Sequence, residues 1–387
     1  MATPASLEMI ERLIGFDTTS RHSNLELISY IQAYLKDLGV DSMLVHNVEG
    51  TKANLYATVG DQEKPGIMLS GHTDVVPVDG QPWDTDPFKL TEKDGRLDGR
   101  GTSDMKSFIA ITLALLPKFI ERGLATPLHL AFSYDEEIGC IGVRRLIEKF
   151  QHMPVKPAMC IVGEPTSMQV VTGHKGKRSY KVHVRGLEAH SSLAPQGVNA
   201  IEYAARFIAR LREIADRIRE SGPFDELYDV THTTVHTGVI SGGTQLNIVP
   251  LDCRFEFEFR YVGLEDPNAL EDEIRRFAAK KLEPEMRAIS PTAGITVDRT
   301  NDMPGLEMDV DDEVVTFVKA LAGRNDHAKV AFGTEAGLFK TRAGIPTVVC
   351  GPGSIDQAHK PNEFIALDQI TAGEAFLERL MDRVCRS

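Results

Sequence analysis

Residues 128–139 read LHLAFSYDEEIG, an unbroken apolar run that stops at three consecutive carboxylates, Asp135, Glu136 and Glu137. A strand apolar on both faces belongs in a sheet covered on both sides, as in α/β layers. Adjacent carboxylates repel one another, so folding alone gives little reason to end such a strand in three of them. The same kind of run recurs in GIMLSG (66–71), AMCIVG (158–163) and TVVCG (347–351). Met105 to Ile120 reads as a strongly apolar helix, and residues 5–39 carry helical periodicity with Leu7, Ile10, Leu13 and Ile14 on one face. Strands alternating with helices predict an α/β fold whose central sheet is mixed but largely parallel and flanked by helices.

The pattern changes between residues 179 and 302. SYKVHVRG (179–186), TTVHTGVISG (233–242), DCRFEFEFR (252–260) and GITVDR (294–299) alternate like half-exposed strands. A long amphipathic helix is expected over 199–220 and a charged one over 266–287. The order βαββαβ predicts an α+β domain, 179–302, inserted into a domain made of 1–178 and 303–387.

A chain of 387 residues with 42% hydrophobic content can build two or three cores of ordinary size. Its net charge of -13, without long basic runs, argues against a nucleic-acid partner. No apolar run approaches the roughly 18–20 residues needed to cross a membrane, and the N-terminus does not read as a signal peptide. The five cysteines are odd in number, scattered and without a CxxC pair, which predicts reduced thiols and a cytoplasmic location.

Four of the apolar runs lead into residues able to hold metal. GIMLSG delivers His72 and Asp74, LHLAFSY delivers the DEE triplet, AMCIVG delivers Glu164, and TVVCG leads through GPGSIDQ to His359. Ligands of open α/β sheets gather beyond the carboxyl ends of the strands. Asp104, in GRGTSDMK, stands just before the apolar helix, where a carboxylate also suits a helix N-terminus. Taken singly, each has an ordinary reading: a hydrogen-bonded loop histidine for His72, a turn cap for Asp74, a solvated loop for DEE, a turn for GEPT, a helix cap for Asp104, a surface residue for His359. Their recurrence at one kind of topological position favours a shared site. Imidazole with carboxylate suits zinc, with cobalt or manganese as alternatives. Too many carboxylates converge for one tetrahedral ion, whereas two ions about 3.5–4 Å apart would use them all and remove the repulsion within DEE.

GHTDVVP (71–77), GRGTSDMK (99–106), DEEIG (135–139), GEPT (163–166) and QAH (357–359) resemble, in order, the successive signatures of a family of dinuclear zinc hydrolases. That family comprises acetylornithine deacetylases, succinyl-diaminopimelate desuccinylases, aminoacylases and carboxypeptidase G. The resemblance implies that His72 and Glu164 bind one ion, Glu137 and His359 the other, and that Asp104 bridges them. It implies that Asp74 holds the tautomer of His72, that a cis peptide follows Asp104, and that Glu136 is the general base. It leaves Asp135 without a role. The inserted domain is expected to act as a lid and dimerisation module of a homodimer, with His190 in GLEAHSS stabilising the oxyanion or serving as an ordinary loop residue.

Arg260 in FEFRYV and Asn247 in TQLNIVP resemble positions that hold a substrate carboxylate, with Lys177 and Arg178 as further candidates. Gly333, Thr334 and Glu335 belong to FGTEAGLF (332–339), where Glu335 could face a cationic amine or act as a structural acceptor. That stretch, with GEPTS (163–167), GHKG (173–176), GVNAIE (197–202) and GPGSIDQAHKPNEF (351–364), is most similar to the acetylornithine deacetylase branch. The branch implies a small N-acyl amino acid substrate, N2-acetyl-L-ornithine, and a role in arginine biosynthesis. Desuccinylation or broader N-acyl-amino-acid deacylation is the alternative.

Overall fold

In the computed structural model, residues 2–386 are described and form two compact units. One comprises Met1–Gly173, Leu306–Lys329 and Thr334–Ser387; the other comprises His174–Gly305 and Val330–Gly333.

The first unit is built on a mixed sheet flanked by helices. Ile67–His72 lies parallel to Leu128–Ser133 on one side and to Met159–Val162 on the other, and Thr347–Val349 extends the parallel set. Parallel strands need cover on both faces, and the residues of Ile67–His72 and Leu128–Ser133 are all buried. The helix Lys106–Arg122 packs against Pro4–Ile14 and Leu367–Val384. Because the four strands run the same way, their carboxyl ends open at one edge. Register places His72 opposite Ser133, and Val162 opposite both Ser70 and Val349. Two antiparallel strands that the sequence reading did not anticipate, Ala53–Val59 and Ser42–His46, complete that side of the sheet.

Helical periodicity over 5–39 resolves into two helices, Pro4–Ile14 and Leu25–Asp37. The interruption has a local cause. Asp17 accepts from the Thr19 amide at 3.0 Å, the Thr18 hydroxyl donates to the Thr73 carbonyl at 2.5 Å, and the Ser20 hydroxyl donates to Asp74 Oδ2 at 2.7 Å. These side chains compete with helix formation and tie the segment to the end of Ile67–His72.

Two glycines let neighbouring strand ends close together. A Cβ on Gly351 would stand 2.1 Å from the Gly163 carbonyl oxygen, and one on Gly163 would stand 2.1 Å from the Phe108 ring. The loop ahead of the helix Lys106–Arg122 is held by Glu363, which accepts from the amides of Gly101 (3.1 Å), Ser103 (2.9 Å) and Asp104 (3.0 Å). Its charge is met by Arg100 at 2.7 Å, and both side chains are 1% exposed.

The second unit is an antiparallel sheet in the order Thr234–Gly242, Asp252–Tyr261, Gly176–Arg185, Gly294–Met303. With the helix Ala200–Ser221 and the helical stretch from Pro267 it follows βαββαβ. Phe207, Phe255, Phe257, Phe259 and Tyr180 form its core. The unit begins at His174, ahead of residue 179, because its first strand starts at Gly176. The charged helix passes through a π turn at Ala278–Leu282 before Glu283–Ile289, where Pro284 lacks the amide that a continuous helix needs.

Replacing Glu363 by Ala would leave Arg100 buried without its countercharge and free three amides of the Asp104 loop. The expected loss is about 3–5 kcal/mol, read as a lower denaturant midpoint. A midpoint within experimental error of wild type would contradict this role.

Candidate metal centre

His72 ends its strand inside the sheet and is 1% exposed. Its Nδ1 lies 2.8 Å from the backbone carbonyl of Asp74, an acceptor only, so Nδ1 carries a proton and Nε2 is the nitrogen that faces the site. Nε2 stands 3.0 Å from Asp104 Oδ1 and 3.7 Å from Glu164 Oε1. Asp74 addresses His72 through both its backbone and its side chain. Its carbonyl fixes the tautomer, while its carboxylate, 3.6 Å from Nδ1, accepts from the amides of Glu136 (3.1 Å) and Glu137 (3.3 Å) and from Ser20. One residue thus orients the histidine and anchors the DEE turn.

That turn also answers how adjacent glutamates face different ways. Asp135 sits in the left-handed region at φ 55°, which swings the chain away from strand geometry. Its carboxylate pairs with Lys52, whose ammonium also donates to the Ser20 carbonyl. Gly139 at φ 111° and Cys140 at φ 53° curl the chain back, with the amides of both donating to the Glu136 carbonyl at 2.9 and 2.8 Å.

Glu137 then meets His359, whose Nε2 is 3.0 Å from Glu137 Oε2 and 3.2 Å from Asp104 Oδ2. Asp104 faces a different histidine with each oxygen. The peptide that follows it, Asp104–Met105, is cis. Gln81 connects the flanking loops, accepting from Arg100 at 2.7 Å and donating to the His359 carbonyl at 3.2 Å.

Four carboxylates, Asp104, Glu136, Glu137 and Glu164, surround two imidazoles. Donor atoms of His72, Glu136 and Glu164 lie within 4.8 Å of one another, as do those of His72, Asp104 and Glu137. Burial raises Glu164 well above the usual carboxylate range, and the Asp104 charge adds to it. Burial and Asp104 likewise push Glu137 up to about 7, despite His359. Hydrogen bonds to Asp104 and Glu137 raise His359 to about 10. Burial opposes charge on His72 too, yet Glu164 and Asp104 hold its pKa well above the ordinary imidazole value. The anions together demand cationic charge, and two imidazoles cannot neutralise four carboxylates. Oxygen and imidazole donors in this number fit divalent metal.

The remaining candidates divide between the units. In the first, Thr334 and Glu335 are buried. Glu335 accepts from the Ser133 hydroxyl at 2.5 Å through Oε1, while its buried Oε2 has no hydrogen-bond partner among the described residues, and burial pushes the group up to about 7. In the second unit, Arg178 spends its guanidinium internally, on Asp302 (2.9 Å), Glu271 (3.0 Å), Asn268 (2.9 Å) and the Pro267 carbonyl (2.9 Å). A buried, fully engaged fork does not offer itself to a ligand. Lys177 and Arg260 share Glu258 at 3.3 and 2.9 Å. Asn247 is exposed and its carbonyl accepts from the Ser191 amide at 2.9 Å. His190 is exposed, with Nδ1 2.8 Å from the Ser192 hydroxyl. Gly333 leaves room for the Met303 methyl, which would stand 1.7 Å from an added Cβ. Sequence reasoning missed Glu363, Arg100, Lys52, Ser20 and Cys140. Arg100 and Glu363 lay within motifs already quoted; Lys52 and Ser20 carry no local signal.

Residues 68–383 match the family described as peptidase family M20/M25/M40. The chain is 34% identical to acetylornithine deacetylases of Pasteurella multocida (strain Pm70) and Myxococcus xanthus, in each case over 99% of this chain and 98% of the relative. Its fold resembles aminopeptidase PepT from Bacillus cereus ATCC 10987, with TM-score 0.76 and 22% identity over 98% and 97% of the two chains. It also resembles the Bacillus subtilis YXEP protein, described as a dinuclear metal binding peptidase, with TM-score 0.66 and 16% identity over 97% of each. Family-wide sequence signatures, whole-length relatives and a buried imidazole–carboxylate cluster agree: the chain belongs to peptidase family M20/M25/M40 and is a metal-dependent hydrolase.

Proposed function

We propose that the chain hydrolyses N2-acetyl-L-ornithine to L-ornithine and acetate, in arginine biosynthesis and in the cytoplasm. Whole-length identity of 34% to two acetylornithine deacetylases is the observation that carries this substrate. The proposed cofactor is a pair of divalent ions, zinc first and cobalt as the alternative. His72 and Glu164 would hold one, Glu137 and His359 the other, with Asp104 shared. Asp104 supports the pairing, because its two oxygens address the two histidines separately.

When bound, the ions supply a Lewis acid for the amide carbonyl and lower the pKa of water to about 7. Glu136 is the carboxylate left over once the five ligands are assigned. In the proposed mechanism it takes a proton from the attacking water and returns it to the departing amine. Asp74 serves by holding both the His72 tautomer and the amides of the DEE turn. In the second unit His190 is proposed as the oxyanion donor of a homodimer, and Arg260, Asn247 and Lys177 as carboxylate contacts. Arg178 is better described as the brace of that sheet.

Two outcomes test the reading. Glu136→Gln should keep its metal and lose at least about 100-fold in kcat, the scale of general-base effects; near-normal turnover by the loaded variant would remove the base assignment. In a panel of N2-acetylornithine, N-succinyl-diaminopimelate and N-acetylmethionine, acetylornithine should have the highest kcat/KM. A clear win for the succinylated substrate would make the chain a desuccinylase, and comparable rates on all three would make it a broad deacylase.

A further inference from the structure

Cys140 touches the residue assigned as the base. Its Sγ lies 3.1 Å from Glu136 Oε1, with the thiol as donor. The side chain is 1% exposed. Burial and the neighbouring Glu136 and Glu335 charges raise the thiol well above its usual pKa, which keeps it protonated and able to donate.

The backbone is shaped to make this contact. A cysteine in the left-handed region is uncommon, and holding a non-glycine residue there requires support from its surroundings. Here the support is specific. The Cys140 amide donates to the Glu136 carbonyl at 2.8 Å, Ile141 donates to the Asp135 carbonyl at 3.1 Å, and the Cys140 carbonyl accepts from Arg144 at 3.1 Å. Two residues on, Gly142 passes so close to Tyr134 that a Cβ would stand 1.9 Å from the Tyr134 carbonyl oxygen. The loop therefore closes on itself and sets the thiol beside the carboxylate. Asp74 grips the same segment through its amides. Backbone and side chain of Glu136 are fixed by different groups.

We propose that Cys140 is a positioning residue for the hydrolytic reaction: its thiol donates to Glu136 Oε1 and holds that carboxylate in the orientation needed for proton transfer. This rests on the assignment of Glu136 as the base. A carboxylate with several rotatable bonds loses turnover when its orientation is no longer fixed, whereas substrate affinity need not change. The thiol is neither nucleophile nor metal ligand in this role.

The test compares Cys140→Ala, which removes the donor, with Cys140→Ser, which keeps one, in the full-length chain loaded with zinc. Cys140→Ala should lower kcat about tenfold, as expected for one charge-assisted hydrogen bond, with KM and bound metal unchanged. Cys140→Ser should recover turnover to within about threefold of wild type. An activity-independent readout is the infrared S–H stretch assigned by subtracting the Cys140→Ala spectrum. That band should lie at lower frequency when Glu136 is present than in the Glu136→Ala background. An unshifted band, or a Cys140→Ala variant with full kcat, would overturn the proposal. Equal losses in both variants accompanied by loss of metal would also overturn it, since that pattern marks a structural role. Absence of hydrolysis by the wild-type chain would instead overturn the functional reading, leaving the band to decide the contact.

Discussion

Four carboxylates crowded around the buried His72 and the exposed His359 form the constraint to which the rest of the first unit answers. Such charges cannot be buried without compensation, because desolvation and mutual repulsion both oppose ionisation. The raised proton affinities of Glu137 and Glu164 express that conflict. Parallel strands deliver the groups to one edge, and glycines at 163 and 351 let neighbouring strand ends approach. Lys52, Arg100 and the amides held by Asp74 and Glu363 absorb the charge that does not face the site. A divalent cation is the compensation that oxygen and imidazole donors favour, and a metal-dependent hydrolase is what this family provides.

Much of this was legible in the sequence because it depends on local pattern. Continuous apolar runs located the buried strands, and what followed each run named the candidate ligands. Alternation between 179 and 302 disclosed half-exposed strands, which the structure pairs into an antiparallel sheet. Other features depend on partners remote in the chain and were not legible. Glu363 holds the Asp104 loop across more than 250 positions, and Lys52 reaches Asp135 across 83. The left-handed conformations of Asp135 and Cys140 leave no compositional trace, since neither residue type demands them. The break between the first two helices follows Gly15, the C-cap of Pro4–Ile14, and is held by hydroxyl and carboxylate contacts to a strand end, which apolar periodicity alone does not register.

The DEE turn is the point where these levels meet. Asp135, without a role from pattern alone, supplies the backbone reversal and the link to Lys52. Glu137 faces His359 and Asp104, and Glu136 lies between Cys140 on one side and the donors of His72 and Glu164 on the other. Sending each to a different partner eases their repulsion without removing it, since burial and then the Glu137 charge still raise the proton affinity of Glu136. The second unit is organised by a different logic, with arginines braced against acidic residues over an aromatic core, so its ligand contacts are less distinct in sequence than the metal donors.

The proposed function turns on two divalent ions sharing Asp104. Its most direct measurement is zinc binding to the metal-stripped chain, followed by native mass spectrometry and calorimetry. The account predicts two ions per chain at saturation and weakened binding of both in Asp104→Asn. Saturation at a single ion, with Asp104→Asn binding it as tightly as wild type, would contradict it.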